Sequence, residues 1–323
     1  MNNSICTLFD NILIDIHKFK SLLYLVNIST KIIAMKSNDI TVIVPCYNHE
    51  KYVLQCLKSI KEQTYKNFQW IVVDDGSKDN SVQILKEHQN EFGYTLICQA
   101  NKGLAQTLTD IIKNYATGKY ISICASDDYW VPNKLEIQYN FLEKNPQYAM
   151  CYGKTYDIDT KSNILGVSDC SKYKSGYIFN EIITQEFHPP VNYMYRKETL
   201  KEFNFFPANI IAEDFYMNCL IAQKYPIGFI NEILSYYRIA ELSSKRDPMK
   251  LLKCHENTIN IFQNTEIYNY AIQLQYLRNF RILSLYKKYK IASLKYGIKC
   301  ISLFFKKDFT ISIYHLIFRW IKC

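Results

Sequence analysis

The sequence predicts an α/β fold, a mostly parallel sheet flanked by helices, followed by a basic helical extension at the C-terminus. Three observations carry this. Between residue 39 and about 145, short apolar runs alternate with stretches of helical period. The runs are apolar without interruption, as strands covered on both faces are. Beyond Pro248 the pattern turns helical to Cys323, with Lys and Arg set among Leu, Ile, Phe and Tyr.

Taken in order, Ile40-Thr-Val-Ile-Val44 reads as a buried strand ending at Pro45, and Val53, Leu57 and Ile60 follow at i, i+4 and i+7 of a helix. Phe68 to Val73 is a second strand, stopped by Asp-Asp-Gly-Ser, and Val82 to His88 a helix. Tyr94 to Cys98 and Lys119 to Cys124 read as the third and fourth strands, with a helix over Gly103–Tyr115 between them. Leu135, Tyr139 and Leu142 mark the next helix. Tyr148–Asp157, Val191–Tyr195 and Ile227–Tyr237 read as further strands, with a turn at Thr160-Lys-Ser-Asn163 and a helix over 212–224 whose buried face is Phe215, Cys219 and Ala222. The expected organisation is an N-terminal extension over 1–37, an α/β domain over 38–247 and a basic helical region over 248–323. Met35 is an alternative start, since Met-Lys-Ser-Asn-Asp leads straight into the first strand.

A chain of 323 residues can bury a substantial core, and 48% hydrophobic residues exclude general disorder. None of the 11 cysteines falls in a Cys-x-x-Cys pair or near a His at metal-ligand spacing, so they read as small buried hydrophobes in a reducing compartment. The net charge of +9 is uneven: from Arg278 onward eleven basic residues face Asp308 alone, so that tail carries +10 and the preceding 277 residues carry −1. A near-neutral body with acidic strand ends is a poor nucleic-acid surface, and no nucleic-acid partner is expected. A basic amphipathic tail instead suits peripheral contact with an anionic membrane. No apolar run reaches the roughly 18 residues of a membrane span, and the N-terminus lacks a secretory signal. The expected location is cytoplasmic, at the inner face of the cell membrane.

In an open parallel sheet, ligands bind beyond the carboxyl ends of the strands. Three such ends carry polar signals: Pro45-Cys-Tyr-Asn48, Asp74-Asp-Gly-Ser77 and Ser126-Asp127-Asp128. Each alone reads first as an ordinary turn, a helix cap or a solvent-facing pair. Their convergence on one edge points to a site. Carboxylates are hard ligands, and Mg²⁺ or Mn²⁺ commonly bridges one or two of them to a diphosphate. With no Walker loop and no Gly-x-Gly-x-x-Gly after a strand, a metal-bridged diphosphate is favoured over a dinucleotide.

The ordered set Pro45-x-Tyr-Asn, Val-Asp-Asp-Gly-Ser, Asn101-Lys-Gly103, Gly118-Lys-Tyr-Ile and Ser-Asp-Asp-Tyr-Trp-x-Pro-x-Lys-Leu resembles a family 2 glycosyltransferase of the GT-A fold. Tyr195-Arg-Lys, Glu213-Asp214 and Tyr237-Arg238 extend the likeness, which spans roughly residues 39 to 245. The resemblance implies a nucleotide-diphospho-sugar donor, a divalent metal (Mn²⁺ or Mg²⁺) and inversion at the anomeric carbon. It implies that Asp75 hydrogen-bonds the donor's base, with Pro45, Tyr47 and Asn48 lining that pocket. Asp128 is expected to bind the metal and Asp127 to contact the ribose or assist the metal. Asp214 is expected to be the general base, although on the residues alone Glu213-Asp214 reads first as first-turn acids complementing a helix dipole. Glu213, Arg238, Lys245 and His188 are the further residues expected at the diphosphate or acceptor. The acceptor implied is a saccharide or lipid-linked saccharide in bacterial surface polysaccharide or glycoconjugate synthesis.

Two positions depart from the family pattern. Ala240 stands where relatives often carry a metal- or diphosphate-contacting His, which brings Arg238 and Lys245 forward as substitutes. Thr109 stands where relatives often carry an Asn. These departures keep open an inactive nucleotide-sugar or glycan-binding relative, and the acidic α/β sheet keeps open a nucleotidyltransferase.

Overall fold

The computed structural model describes residues 38–239 and 247–319. The N-terminal extension, Ala240, Lys245 and Trp320 lie outside them, so the expectations placed on those residues concern undescribed parts of the chain.

The alternation read from the sequence is present: β1 (Ile40–Cys46), α1 (Val53–Lys61), β2 (Phe68–Asp74), α2 (Ser81–Phe92), β3 (Thr95–Cys98), α3 (Leu104–Asn114) and β4 (Tyr120–Ile123). A two-residue strand β5 (Tyr129–Trp130) precedes α4 (Lys134–Lys144). Then come β6 (Met150–Ile158), β7 (Ile164–Val167), α5 (Phe179–Ile183), β8 (Met194–Arg196), α6 (Lys197–Glu202), α7 (Glu213–Lys224) and β9 (Ile227–Arg238). The C-terminal region comprises α8 (Pro248–Asn260), α9 (Tyr268–Leu283), α10 (Lys290–Lys299) and α11 (Lys307–Phe318).

Among the described residues the strands form one sheet in the order β3-β2-β1-β4-β8-β6-β9-β5, with β7 beside β6. The β3-β2-β1-β4 half is parallel, as strand–helix alternation requires. The other half is mixed: β8 runs antiparallel to both β4 and β6, while β6 and β9 are parallel. Successive β1 residues serve opposite faces. Ile43 joins a cluster with α3, α5, α7 and α8, while Val42 and Val44 join one with α1, α2 and α4. Ile259, Phe262, Ala271 and Ile272 of the C-terminal region belong to the first cluster, so the core continues past residue 247.

Gly118 of the Gly-Lys-Tyr-Ile run lies against β1, where a Cβ would come within 2.5 Å of Ile40 C and Thr41 N. The second of the three strands expected in this half is shorter than expected, Met194–Arg196 rather than Val191–Tyr195. Asn192, just before β8, accepts from Gly153 N (3.0 Å) and donates to Ser235 Oγ (3.0 Å) through its buried side chain, tying β6 to β9 where the register of their ladder shifts. Helix α5 has five residues, too few to display helical periodicity in the sequence.

Candidate active site

The carboxyl ends of β1, β2 and β4 are stitched together by side chains of the loops that follow them. Asn48, in the left-handed region at φ 57, receives Lys78 N on Oδ1 at 2.7 Å, while its own N–H donates to Ser77 Oγ at 2.9 Å. Glu50 and Asp79 exchange similar bonds, Glu50 N to Asp79 Oδ2 and Asn80 N to Glu50 Oε2. The Asp75 N–H donates to Cys46 O. These contacts explain why Pro-x-Tyr-Asn and Asp-Asp-Gly-Ser occur together, since each loop supplies the other's missing partners.

Asp75 is buried and its carboxylate is heavily used. Oδ1 accepts from Gln99 Nε2 and Lys102 N, both at 2.9 Å, and Oδ2 accepts from Gly103 N at 3.0 Å. It thereby shapes the loop that starts α3. Gly76, at φ +78, approaches that loop so closely that a Cβ would sit 2.8 Å from Asn101 N.

Asp127 and Asp128 are held by Arg238 at the end of β9. The Arg238 N–H donates to Asp128 Oδ1 at 2.7 Å, and Nε donates to Asp127 O at 2.8 Å. The rest of the guanidinium reaches Asp159 O, Ser162 Oγ and Gln55 Oε1, and its plane lies 4.3 Å from the Tyr52 ring centroid. Strand β5 makes this contact by pairing with β9, and Tyr129 stacks on Tyr236 at 4.3 Å. Burial, then the neighbouring Asp127 charge, pushes the Asp128 carboxyl well above the ordinary carboxylate range, against the pull of Arg238. His49 bridges the first and third strand ends, with Nδ1 2.7 Å from Ser126 Oγ and Nε2 3.8 Å from Asp127 Oδ2.

Facing these strand ends, Glu213 and Asp214 open α7 and line a narrow cleft with Pro45, Ala125, Tyr193 and Tyr195. Asp214 is half-buried, and one carboxylate oxygen accepts from Phe215 N. Tyr193 anchors the wall, donating to Pro189 O at 2.8 Å and accepting from Asn218 Nδ2 at 2.9 Å. The cleft joins the ends of β1 and β4 to the start of α7.

The family model for glycosyl transferase family 2 matches residues 41–203, half of the chain, the stretch that carries these strand ends. This chain belongs to glycosyl transferase family 2. It is similar to an uncharacterised glycosyltransferase of Methanocaldococcus jannaschii, MJ1057, at 32% identity over 209 residues, covering 62% of this chain and 70% of the relative. It is 28% identical over 250 residues to the Escherichia coli enzyme WfgD, UDP-Glc:alpha-D-GlcNAc-diphosphoundecaprenol beta-1,3-glucosyltransferase, covering 77% of this chain and 94% of that one. Among solved structures, S. aureus TarS 1-349 in complex with UDP-GlcNAc aligns with a TM-score of 0.60 at 22% identity, over 73% of this chain and 70% of TarS. The mannosyltransferase PcManGT from Pyrobaculum calidifontis, in complex with GDP-Man and Mn²⁺, aligns at 0.52 and 17% identity, over 86% and 85%. The two structures share the GT-A fold expected from the motifs.

Within the glycosyltransferase, Pro45, Asn48, Asp75, Asp127 and Asp128 lie on one sheet edge, and Pro45 shares its cleft with Glu213 and Asp214. Tyr47 is exposed beside them. Arg238 is placed differently from the expectation of a diphosphate contact, since it is 3% exposed and its guanidinium is engaged on three sides by protein oxygens. His188 packs against Phe215 at 5.8 Å and His255 of α8 at 6.4 Å, on the Asp214 side. Desolvation lowers the His188 pKa, opposed by the Asp214 charge, and brings His255 down to about 4. Thr109, the departure in α3, exchanges hydrogen bonds with Phe206, accepting from its N–H at 3.0 Å and donating to its carbonyl at 2.8 Å. Its hydroxyl therefore joins α3 to the loop before α7.

Sequence reasoning missed His49, His255 and Lys134. His49 directly follows the Pro-x-Tyr-Asn run, so its place at a strand end was the available signal. Lys134 stands in the Pro-x-Lys-Leu segment, fully buried, with Nζ donating to Ser122 Oγ and Gln138 Oε1 and lying 3.8 Å from the Trp130 ring centroid. Among the described residues no three His, Cys, Asp or Glu side chains converge as a preformed metal cage. Two adjacent carboxylates, one of them buried at electrostatic cost, would suit a hard divalent ion that also accepts oxygen ligands from a diphosphate.

Proposed function

We propose that the chain transfers a sugar from a nucleotide-diphospho-sugar to an acceptor hydroxyl with inversion. The reading is carried by the cleft that sets Asp214 across from Pro45 and Ala125, at the strand ends leading to Asp127 and Asp128. Asp75 Oδ2 accepts one hydrogen bond from Gly103 N, which leaves a lone pair for a base N–H, and the Asp75 N–H donates to Cys46 O, between Pro45 and Tyr47 in the chain. Asp128, assisted by Asp127, would hold the Mn²⁺ or Mg²⁺, which supplies positive charge against the departing nucleoside diphosphate. The Mn²⁺ and UDP-sugar or GDP-sugar of the two aligned structures support this chemistry in kind.

In the transfer step the acceptor oxygen forms its bond to C1 while the C1–O bond to the diphosphate breaks. Asp214, in the first turn of α7, takes the acceptor's proton. Arg238 serves as a strut that fixes both acids of the Asp127-Asp128 pair. His188 and Glu213 flank Asp214 on the acceptor side. WfgD, by its name, acts on a diphosphoundecaprenol-linked sugar, which supports a lipid-linked saccharide as acceptor in bacterial glycan synthesis at the inner face of the membrane.

The test is thermal stability against UDP, GDP, dTDP and CMP, each with and without Mn²⁺. A metal-dependent rise with one diphosphate, lost in Asp128→Ala, is the expected result. Pyrophosphate release would favour a nucleotidyltransferase, and silence toward every nucleotide by folded protein would leave a glycan-binding relative.

A further inference from the structure

The C-terminal helices have two apolar faces, and the fold uses one of them. Inward, Leu277, Phe280, Cys300, Leu303 and Phe309 form a small core between α9, α10 and α11. Gly297 lies flat on the Phe280 ring, and Ser293 Oγ donates to Phe280 O at 3.0 Å. These contacts define the buried face of α10. The opposite requirement, a polar outer face, is not met.

On α10 the residues at i, i+3 and i+7, Ile291, Leu294 and Ile298, are 77%, 51% and 66% exposed. The connector to α11 adds Phe304 and Phe305, 66% and 70% exposed. On α11, Phe309, Ser312 and Leu316 turn toward the core, while Ile313, Ile317 and Phe318 turn outward. Of the 23 exposed large apolar side chains among the described residues, ten fall within residues 291–318, which distinguishes a patch from ordinary scatter. The same segment is strongly basic. Residues 287–319 carry Lys287, Lys288, Lys290, Lys295, Lys299, Lys306, Lys307 and Arg319 against Asp308, and Asp308 is itself paired with Arg281. No helix of the described residues is long and apolar enough to cross a membrane.

We infer that α10, the 300–306 connector and α11 form a membrane-docking surface for an anionic bilayer, with Ile298, Phe304 and Phe305 inserted among the headgroups and lysines such as Lys295, Lys306 and Lys307 on anionic lipid, while Lys290 is held by the Ser284, His315 and Arg319 carbonyls. Charge decides the occupant. A second copy of this chain would bring the same lysines face to face, whereas anionic headgroups complement them, and aliphatic lysine stems extend the apolar surface while their ammonium groups reach outward. The short helices suit binding in the interface plane. The proposal deepens the reading of a membrane-linked acceptor, and its test uses no turnover, so it fails or stands apart from the donor site.

The full chain is sedimented with sucrose-loaded vesicles of phosphatidylcholine alone and of phosphatidylcholine with 30% phosphatidylglycerol, at low and high salt. The expected result is binding to the anionic vesicles that weakens at high salt, and at least tenfold weaker partitioning for Ile298→Asp/Phe305→Asp, both exposed positions whose change leaves the melting temperature in place. Lys295→Gln/Lys306→Gln should lose the preference for anionic lipid. Equal binding by the Asp variant, or none by the folded wild type, overturns the proposal. So does a concentration-dependent dimer in light scattering that the Asp substitutions abolish, which would make the patch a subunit interface.

Discussion

The backbone N–H of Arg238 donates to Asp128 Oδ1 at 2.7 Å, and the same residue's Nε holds Asp127 O, across 110 residues of chain. The last residue of the last strand thus fixes the acid pair that follows the fourth. Three further protein oxygens on the guanidinium make it a fixture rather than a free cation.

Replacing Arg238 by Leu leaves Asp127 O, Asp159 O and Gln55 Oε1 without their donor. Loss on the order of 3 kcal/mol of stability is expected in denaturant unfolding. Metal-dependent nucleotide affinity should fall about 10–100-fold, as for other residues that orient a ligand-bearing group. An unchanged affinity would return Arg238 to a purely structural role.

Asp128 has its carboxyl pKa raised by burial and by Asp127, so the ionised form is disfavoured in the folded chain. The sign follows: the stability this group contributes is present below its ordinary value of 3.8 and is lost as pH rises through the raised folded value. At neutral pH in chelator, Asp128→Asn should therefore melt higher than wild type. With Mn²⁺ and the cognate nucleotide the order should reverse, because only the carboxylate gains from the cation.

Asp214→Asn keeps the side-chain shape and the oxygen that accepts from Phe215 N while removing the proton acceptor. Turnover should drop by about 10²–10⁴-fold. The nucleotide-induced thermal shift should stay as in wild type, since the residues proposed for the donor lie at the ends of β1, β2 and β4 and not on α7. A drop in donor affinity with intact turnover would assign Asp214 to the donor instead.

Lys134 is buried, and desolvation brings its pKa down from the ordinary 10.5 to about 7. Between those values the unfolded chain binds the extra proton and the folded chain does not, so stability should rise with pH above about 7. Lys134→Met, of similar length and apolar, should flatten that rise between pH 7 and 9 in urea titrations, using roughly two pH units of leverage.

Much of this was legible in the sequence. Ile40–Val44, Phe68–Val73 and Lys119–Cys124 announced a buried sheet because both faces of each strand need apolar cover. The strand-end signals at Pro45, Asp74 and Asp127 were legible because topology alone sends parallel strand ends to one edge. Short elements were not. Strand β5 has two residues and α5 five, and neither is long enough to express a period. Asn192 was hidden for another reason, since an Asn that bridges two strands at a register shift looks like an Asn in a loop.

Composition and order by themselves determined the α/β half, the family, the acid pair and the location of the excess positive charge. These are properties of neighbours along the chain, where periodicity and spacing act. Only the tertiary structure decided that Arg238 is a strut, that Asp75 shapes the 99–103 loop, that Asp214 shares a cleft with Pro45, and that the C-terminal helices keep a second apolar face outside their own core. Each depends on which partners long-range folding leaves for a polar or apolar group, and that quantity is set by contacts between residues far apart in sequence.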